Sequence, residues 1–325
     1  MNRSIHAILM LIIFPIALNA ENDFLEDKLP SIVKNIAEGA ENGDAGEAAK
    51  KELQNFSIGL ANSSLDVLED RIISGTGFKT FELSVGSDVF GLDNGSKTKS
   101  EAMAVYGFYE IDNLFLFNQT SVVGFNSRST INVGVGARHI NDDETIILGA
   151  NAFYDYETKS GHKRSSLGFE LLTAMLEFRA NSYNAISKKI TYRDIDETAL
   201  DGRDVKLTAN LPYLYSSNLH FSSGRWKDGL GYETKTKEFG LSAEIMPNLM
   251  LNVAQQKKNS LNTETVASVS YSIQLGKAAE TERVMQDGSW ANTMKPIRGK
   301  LYRPVQRENR IMKKAIRLGV TVSGY

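Results

Sequence analysis

Ser129–Ser187 reads STINVGVGARHI (Ser129–Ile140), NDDE (Asn141–Glu144), TIILGANAFYDYE (Thr145–Glu157), TKSGHKR (Thr158–Arg164) and SSLGFELLTAMLEFRANSYNAIS (Ser165–Ser187). In the first piece Ile131, Val133, Val135 and Ala137 share one parity, and Asn132, Gly134, Gly136 and Arg138 the other. Further on, Leu148, Ala150, Ala152, Tyr154 and Tyr156 oppose Gly149, Asn151, Phe153 and Asp155. Leu167, Phe169 and Leu171 then oppose Ser166, Gly168 and Glu170. After a tight reversal, Leu176, Phe178 and Ala180 oppose Glu177, Arg179 and Asn181. A period of two marks strands. A soluble sandwich alternates too, so length and chemistry decide. These strands run about ten residues, their apolar face often ends in Tyr or Phe, and the other face is polar enough to line water, as a membrane-spanning barrel requires.

Working outward, the period of two holds for some two hundred residues. The strands read as Phe78–Val89, Glu101–Ile111, Asn113–Phe125, Ser129–Ile140, Thr145–Glu157, Lys163–Thr173, Ala174–Ser187, Arg203–Leu211, Ser217–Lys227, Lys237–Met246, Asn248–Lys258 and Glu264–Leu275. Twelve is an even number, as a single-chain barrel needs. The second and third alternate least cleanly. Turn signals separate the strands, among them Asp93-Asn94-Gly95, Asp201-Gly202 and Pro247-Asn248. With the N-terminus in the periplasm, twelve strands return the chain to that side at about Gly276. The turn holding Asp142-Asp143-Glu144 falls there too and reads as a solvated acidic turn rather than a calcium site. The longest link, Ser187 to Arg203, follows the seventh strand and lies on the extracellular side. Its Lys188, Lys189, Tyr192, Arg193 and Asp194 read as solvated loop and as the first place to look for a surface partner. Lys159–Arg164, Lys188–Gly202 and Lys227–Lys237 are not expected all to share one side.

The 325 residues carry a net charge of −2 and no cysteine, which excludes disulfides, thiolate metal sites and cysteine nucleophiles. Residues 1–20, with Arg3, the apolar run Ala7–Leu18 and then Asn19-Ala20, read as a cleaved secretory signal peptide. Residues 21–77 read as a short helical periplasmic region. In it Leu65, Leu68, Ile72 and Ile73 form a stripe, and Glu41–Gly46 (ENGDAG) a flexible joint. Residues 78–276 are the barrel, and 277–325 a basic segment that either threads the lumen or forms an exposed tail. That last segment holds eleven Lys and Arg against four acids. The polar strand faces offer Glu82, Asp155, Glu170, Glu177, Asp204 and Glu244, with Arg179 among them. A basic segment threaded through an acid-bearing lumen is electrostatically matched.

Two motifs are set aside. His220-Phe221-Ser222 is similar to the His-x-Ser strand motif of outer-membrane phospholipase A. Leu219 and Phe221 take the lipid side, however, so His220 and Ser222 turn into the lumen. Gly134-x-Gly136 lacks the following helix of a phosphate loop and reads as glycine that leaves lumen space. No catalytic residue, cofactor or metal is expected.

Asn132–Arg138 (NVGVGAR), Leu148–Tyr156 (LGANAFYDY), Arg164–Glu170 (RSSLGFE), Ala180–Ser187 (ANSYNAIS), Asp201–Pro212 (DGRDVKLTANLP) and Val305–Ile311 (VQRENRI) together resemble the inverse autotransporter β-barrel of intimin and invasin, in the family's order. Weaker similarity runs from Ser63 to Leu275 and takes in Gly75-Thr76-Gly77. The resemblance implies an all-β fold, a 12-stranded antiparallel transmembrane barrel in the Gram-negative outer membrane. It also implies that 277–325 is a plug and linker: a helix or hairpin plug, then a linker, Tyr302–Arg317, running outward through the pore with Tyr302, Arg303, Arg307, Arg310, Lys313 and Arg317 along it. The implied role is an anchor and export pore of type V secretion, linked to adhesion. Only fourteen residues follow Ile311, so a passenger-less form is expected. The partners expected are outer-membrane lipids, the barrel assembly machinery, periplasmic chaperones and an unidentified surface receptor, with no nucleic acid. The alternative is a small porin-like channel with a periplasmic C-terminal tail.

Overall fold

The period-two stretches form strands, and lipid and closure explain their arrangement. A computed structural model describes residues 77–87, 99–125, 128–211, 217–246, 248–259, 263–275, 278, 296–317 and 320–323. Contacts divide the chain into Met1–Asn62 and Ser63–Tyr325, and all described residues belong to the second unit. The signal-peptide reading, the helical region before Gly77 and the plug reading of most of 277–295 lie outside the described residues.

The strands are β1 Phe78–Ser87, β2 Lys99–Ile111, β3 Leu114–Phe125, β4 Arg128–Ile140, β5 Ile146–Glu157, β6 Lys163–Thr173, β7 Leu176–Ala185, β8 Lys189–Tyr192, β9 Ile195–Ala199, β10 Asp201–Asn210, β11 Asn218–Lys227, β12 Glu233–Met246, β13 Leu249–Lys258, β14 Thr263–Gln274, β15 Lys313–Arg317 and β16 Val320–Ser323. Twelve of them, β1–β7 and β10–β14, form a closed antiparallel barrel in which β14 pairs back onto β1. Closure leaves no backbone edge unpaired against lipid. The other four form a separate sheet in the order β16-β15-β9-β8.

The two faces invert the pattern of a soluble protein. Leu148, Leu167, Phe169, Phe178, Leu207, Phe239 and Leu241 are exposed, while Arg138, Asp155, Arg164 and Glu170 are buried. Exposed apolar rows are what lipid solvates, and buried charges mark the interior. Alternation fails on β2 because the register against β3 shifts between Gly107 and Tyr109. That bulge leaves both Phe108 and Tyr109 exposed, and the carboxylate of the next residue, Glu110, accepts a bond from Tyr302 inside the barrel.

The interior corrects one expectation. At one end it is apolar, not water-lined: Phe115, Phe117, Ile140, Ile147, Phe153 and Leu172 of the wall pack with Ile297, Leu301, Tyr302 and Val305. The C-terminal segment brings its own apolar side chains inside, so inward aromatics have partners. The inward glycines do not leave open space either. A Cβ on Gly134 would lie 2.3 Å from the Phe153 ring, and one on Gly136 would lie 2.3 Å from the Phe117 ring. Each ring lies close against its glycine and has an arginine over it, Arg307 at 4.4 Å from the Phe153 centroid and Arg138 at 4.7 Å from that of Phe117.

Gly136→Val is therefore expected to displace Phe117 and to destabilise the barrel by about 1–3 kcal/mol, as overpacking does. The check is the temperature at which the folded form loses its heat-modifiable mobility on gels. An unchanged midpoint would show that the ring is not held there.

Candidate functional site

The segment 296–317 runs the length of the barrel interior. It starts at the end that carries the β2–β3, β4–β5 and β6–β7 turns. There the Ile297 N–H donates to Glu144 O (2.7 Å), Arg298 Nε to Glu144 Oε1 (2.6 Å), and Lys300 Nζ to Thr173 O (2.7 Å) and Glu177 Oε1 (2.6 Å). A 3-10 turn, Arg298–Tyr302, follows. Pro304 cannot extend it, and the residues from there to Met312 lie in no helix or strand. The segment leaves at the opposite end, where Lys313 meets Glu157 and Lys314 meets Asp228. The sequence-predicted acidic turn at Glu144 thus seats the start of the linker.

An extended chain makes no hydrogen bonds within itself, so the wall must satisfy its backbone. Thr80 Oγ1 donates to Tyr302 O (2.7 Å), and Arg138 NH1 donates to Leu301 O (2.7 Å) and Arg303 O (2.6 Å). Gln119 acts as a second backbone: its Oε1 accepts from the Val305 N–H (2.6 Å) and its Nε2 donates to Val305 O (3.3 Å). Arg164 NH2 donates to Glu308 O (2.6 Å), and the Glu308 N–H donates to the Tyr183 hydroxyl (2.8 Å). With its amide oxygen accepting from Ser121, Asn132 Nδ2 donates to Asp155 (2.8 Å) and Asn309 O (2.9 Å).

Charges fix the register. Arg307 makes a bidentate pair with Asp155 (2.8 and 2.7 Å), and Arg164 Nε approaches the same carboxylate at 2.7 Å. Lys313 Nζ reaches both oxygens of Glu157 at 2.7 Å. The Tyr302 hydroxyl donates to Glu110 (2.7 Å). Of the other sequence-predicted linker residues, Arg310 pairs with Glu308 of its own segment and stacks on Phe125. Arg303 lends its carbonyl to Arg138, and Arg317 closes β15 opposite Val320. Of the predicted wall acids, Asp155 and Glu177 hold the linker. Glu170 instead holds Arg138 and Arg179 (2.8 and 3.3 Å), and Asp204 holds Asn181 and Tyr183. Glu82 lies at the β1–β2 pairing with Met103, and Glu244 accepts from the Asn248 N–H at a turn. Sequence reasoning missed Glu110, Glu157, Glu197, Arg138 and Arg164. Glu157, Arg138 and Arg164 had inward parity as a signal, but charge matching alone gave no reason to want arginines facing a basic segment; Glu110 follows the β2 register shift and Glu197 lies in a link read as loop. His220 sits inward, with Nε2 3.3 Å from Glu238.

At the exit the structure corrects the reading of the links. Lys159–Arg164, Lys188–Gly202 and Lys227–Lys237 all lie at one end: His162 Nδ1 is 3.1 Å from Ser187 Oγ, Lys313 bridges Glu157 and Glu197, and Lys314 reaches Asp228 (3.0 Å). They follow the fifth, seventh and ninth barrel strands, and odd links share a side. The long link is not plain loop but the β8–β9 hairpin, turning at Arg193 and Asp194, both with positive φ. Residues Lys313–Ile316 pair with Asp196–Ala199, extending β9 by β15, and β16 returns beside it. Arg128 clamps Glu197 through two bonds (2.7 and 2.6 Å) and stacks on Tyr192. Burial would raise the Glu197 carboxyl, but His162, Arg128 and the Lys313 charge outweigh it and hold it at about 2. Asp228 is likewise held low against burial, by the Leu230 N–H and Lys314.

Arg307→Met is expected to weaken linker docking by about 3 kcal/mol, because it takes a bidentate partner from a buried carboxylate. Arg310→Met should cost less, about 1 kcal/mol, because its carboxylate partner is a neighbour in the same segment and the contact it gives the wall is the stack on Phe125. Thermal midpoints of both variants, with single-channel currents as a second readout, check the order; equal effects would refute it. The exit latch has a pH signature. Glu197 has a folded pKa of about 2 against an ordinary 4.5, so its contribution is fully present above about 4.5 and lost as pH falls towards 2. A spin label at Thr198 in β9, paired with Lys314 of β15, should stay immobile down to about that pH and loosen below it; release near pH 6 would contradict the assignment.

Residues 31–309 match the family model "Inverse autotransporter, beta-domain". Invasin of Yersinia enterocolitica is 25% identical over 187 residues, covering 54% of this chain and 22% of the relative. Intimin of Escherichia coli O111:H- is 22% identical over 221 residues, covering 63% and 23%. The inverse autotransporter adhesin YeeJ of E. coli K12 is 25% identical over 323 residues, covering 92% and 13%. The chain thus spans less than a quarter of the length of these relatives. A solved chain from a study of the in-meso crystallization of membrane proteins shares the fold, with a TM-score of 0.60 at 18% identity, covering 74% of this chain and all of that one. The chain belongs to the inverse autotransporter β-domain family, whose barrel lies in the outer membrane.

Proposed function

We propose that the protein is an outer-membrane anchor and export pore that carries its C-terminal segment from the periplasm to the cell surface and holds it there. The observation that supports this reading is the threaded segment 296–317, bonded to the turn end at Glu144 and Thr173 and to the opposite end at Glu157, Glu197 and Asp228. The work done is mechanical: barrel closure, passage of the segment, then capture at the exit. No group transfer is involved, and the inward His220 with its Glu238 partner is read as part of the wall. An adhesive role is supported by relatives named invasin, intimin and an inverse autotransporter adhesin. Adhesion by this chain would rest on what its exported segment and surface hairpin present. A solute channel needs an open lumen, and the packing of Leu301, Tyr302 and Val305 against Phe115 and Phe117 weighs against one.

An epitope fused after Tyr325 should be labelled on intact cells. Labelling only after the outer membrane is opened would refute export. Capture has its own test. The Ala199 N–H points to Lys188 O and the Leu200 N–H to Met312 O, so the alternating pattern turns the N–H groups of Asp196 and Thr198 towards β15. Asp196→Pro with Thr198→Pro should remove that half of the ladder. The fused epitope is then expected to reach the surface more slowly while the barrel itself still folds; unchanged kinetics would rule out a capture role for β9.

A further inference from the structure

The outward faces of β10–β13 carry a feature that threading does not use. Leu207, Phe221 and Phe239 form an apolar row, each the register partner of the next, and all are exposed. Moving towards the exit end, the next outward row runs Val205, Ser223, Lys237, Lys257, and the one after it Arg203, Arg225, Lys235. Lys227 follows, opposite Glu233. All six cations are exposed. Arg203 stands directly opposite Arg225, Arg225 opposite Lys235, and Lys237 opposite Lys257, and like charges so placed destabilise a sheet. Glu233 serves Arg225 and Lys235. Among the described residues no carboxylate pairs with Arg203, Lys227, Lys237 or Lys257.

The patch is local in both directions. Near the turn end the same four strands turn Ala209, Leu219, Ala243 and Leu251 outward, with no cation. At the exit end β5–β7 present Tyr154, Tyr156, Ser165, Ser182 and Asn184 with a single cation, Lys163. Rows two residues apart are about 7 Å apart, so the cations begin one row above the apolar belt, at headgroup depth. Repulsion between facing cations is relieved when an anion lies between them.

We infer that this face docks the phosphate groups of a phosphorylated glycolipid of the outer leaflet, its acyl chains against Leu207, Phe221 and Phe239. Continuity with the apolar belt favours a lipid over a free anion, and lipid at that depth keeps a protein partner away. The assignment to the outer leaflet rests on the exit end facing the cell surface.

The test places the full chain in nanodiscs containing bis-phosphorylated lipid A, its dephosphorylated form or phosphatidylglycerol, with inorganic phosphate in neutral detergent as a separate arm. Retained lipid is read by native mass spectrometry. The wild type should prefer the bis-phosphorylated form by about tenfold or more over the other two lipids. Lys237→Ser with Lys257→Ser should lose that preference, yet be at least as heat-stable in neutral detergent, because a repulsive pair has gone. No preference in the wild type, or an undiminished one in the variant, overturns the site. Equal retention of phosphatidylglycerol overturns the glycolipid, and phosphate alone stabilising the wild type as well as lipid A does overturns the lipid. Lipid retention in nanodiscs does not depend on orientation in cells, so failure of the epitope to reach the surface would refute export separately.

Discussion

A polypeptide drawn out straight inside a membrane barrel has a backbone with no partners of its own, and everything inside this protein answers that constraint. Leaving such groups unpaired costs about 1–3 kcal/mol each. Thr80, Gln119, Asn132, Arg138, Arg164 and Tyr183 supply the missing donors and acceptors from five different barrel strands. Gln119 is the plainest case, because its side-chain amide pairs with Val305 as a neighbouring strand would.

The inward arginines would be a puzzle if the interior were only a sleeve for positive charge. Arg138 and Arg164 give one side of their guanidinium groups to wall carboxylates, Glu170 and Asp155, and the other to linker carbonyls. Each is thereby buried with its charge compensated, and the wall gains rigid donors aimed inward. Arg307 enters this network as a further partner of Asp155, with Phe153 beneath it and Gly134 close against the ring. A glycine on a strand, an aromatic from the next strand and an arginine from a distant segment thus form one cluster.

The two ends do different jobs. At the turn end the linker is packed by apolar contact and capped by Glu144, Glu177 and the Thr173 carbonyl. At the exit it becomes a strand, and β9 takes over as its backbone partner. Strand pairing depends little on side chains, so a hairpin at the mouth can hold emerging chain with few demands on its sequence, while Lys313 and Lys314 fix the register against Glu157, Glu197 and Asp228.

The sequence by itself determined the barrel: twelve period-two stretches, their inward and outward sets, and a basic segment after the last of them. These are legible because parity is a local property that lipid on one side enforces at every second residue. It could not determine which wall charge meets which linker residue. Asp155 and Arg307 are 152 positions apart, and their meeting depends on the register of the threaded chain, which closure of the whole barrel sets. Nor was the hairpin of β8 and β9 legible, since Ile190, Tyr192 and Ile195 alternate over too few residues to stand out. The bulge at Gly107 hid Glu110 by reversing parity midway along β2. Only the tertiary structure decided the wall-to-linker pairing, because it depends on groups far apart in the chain satisfying one another where water is absent.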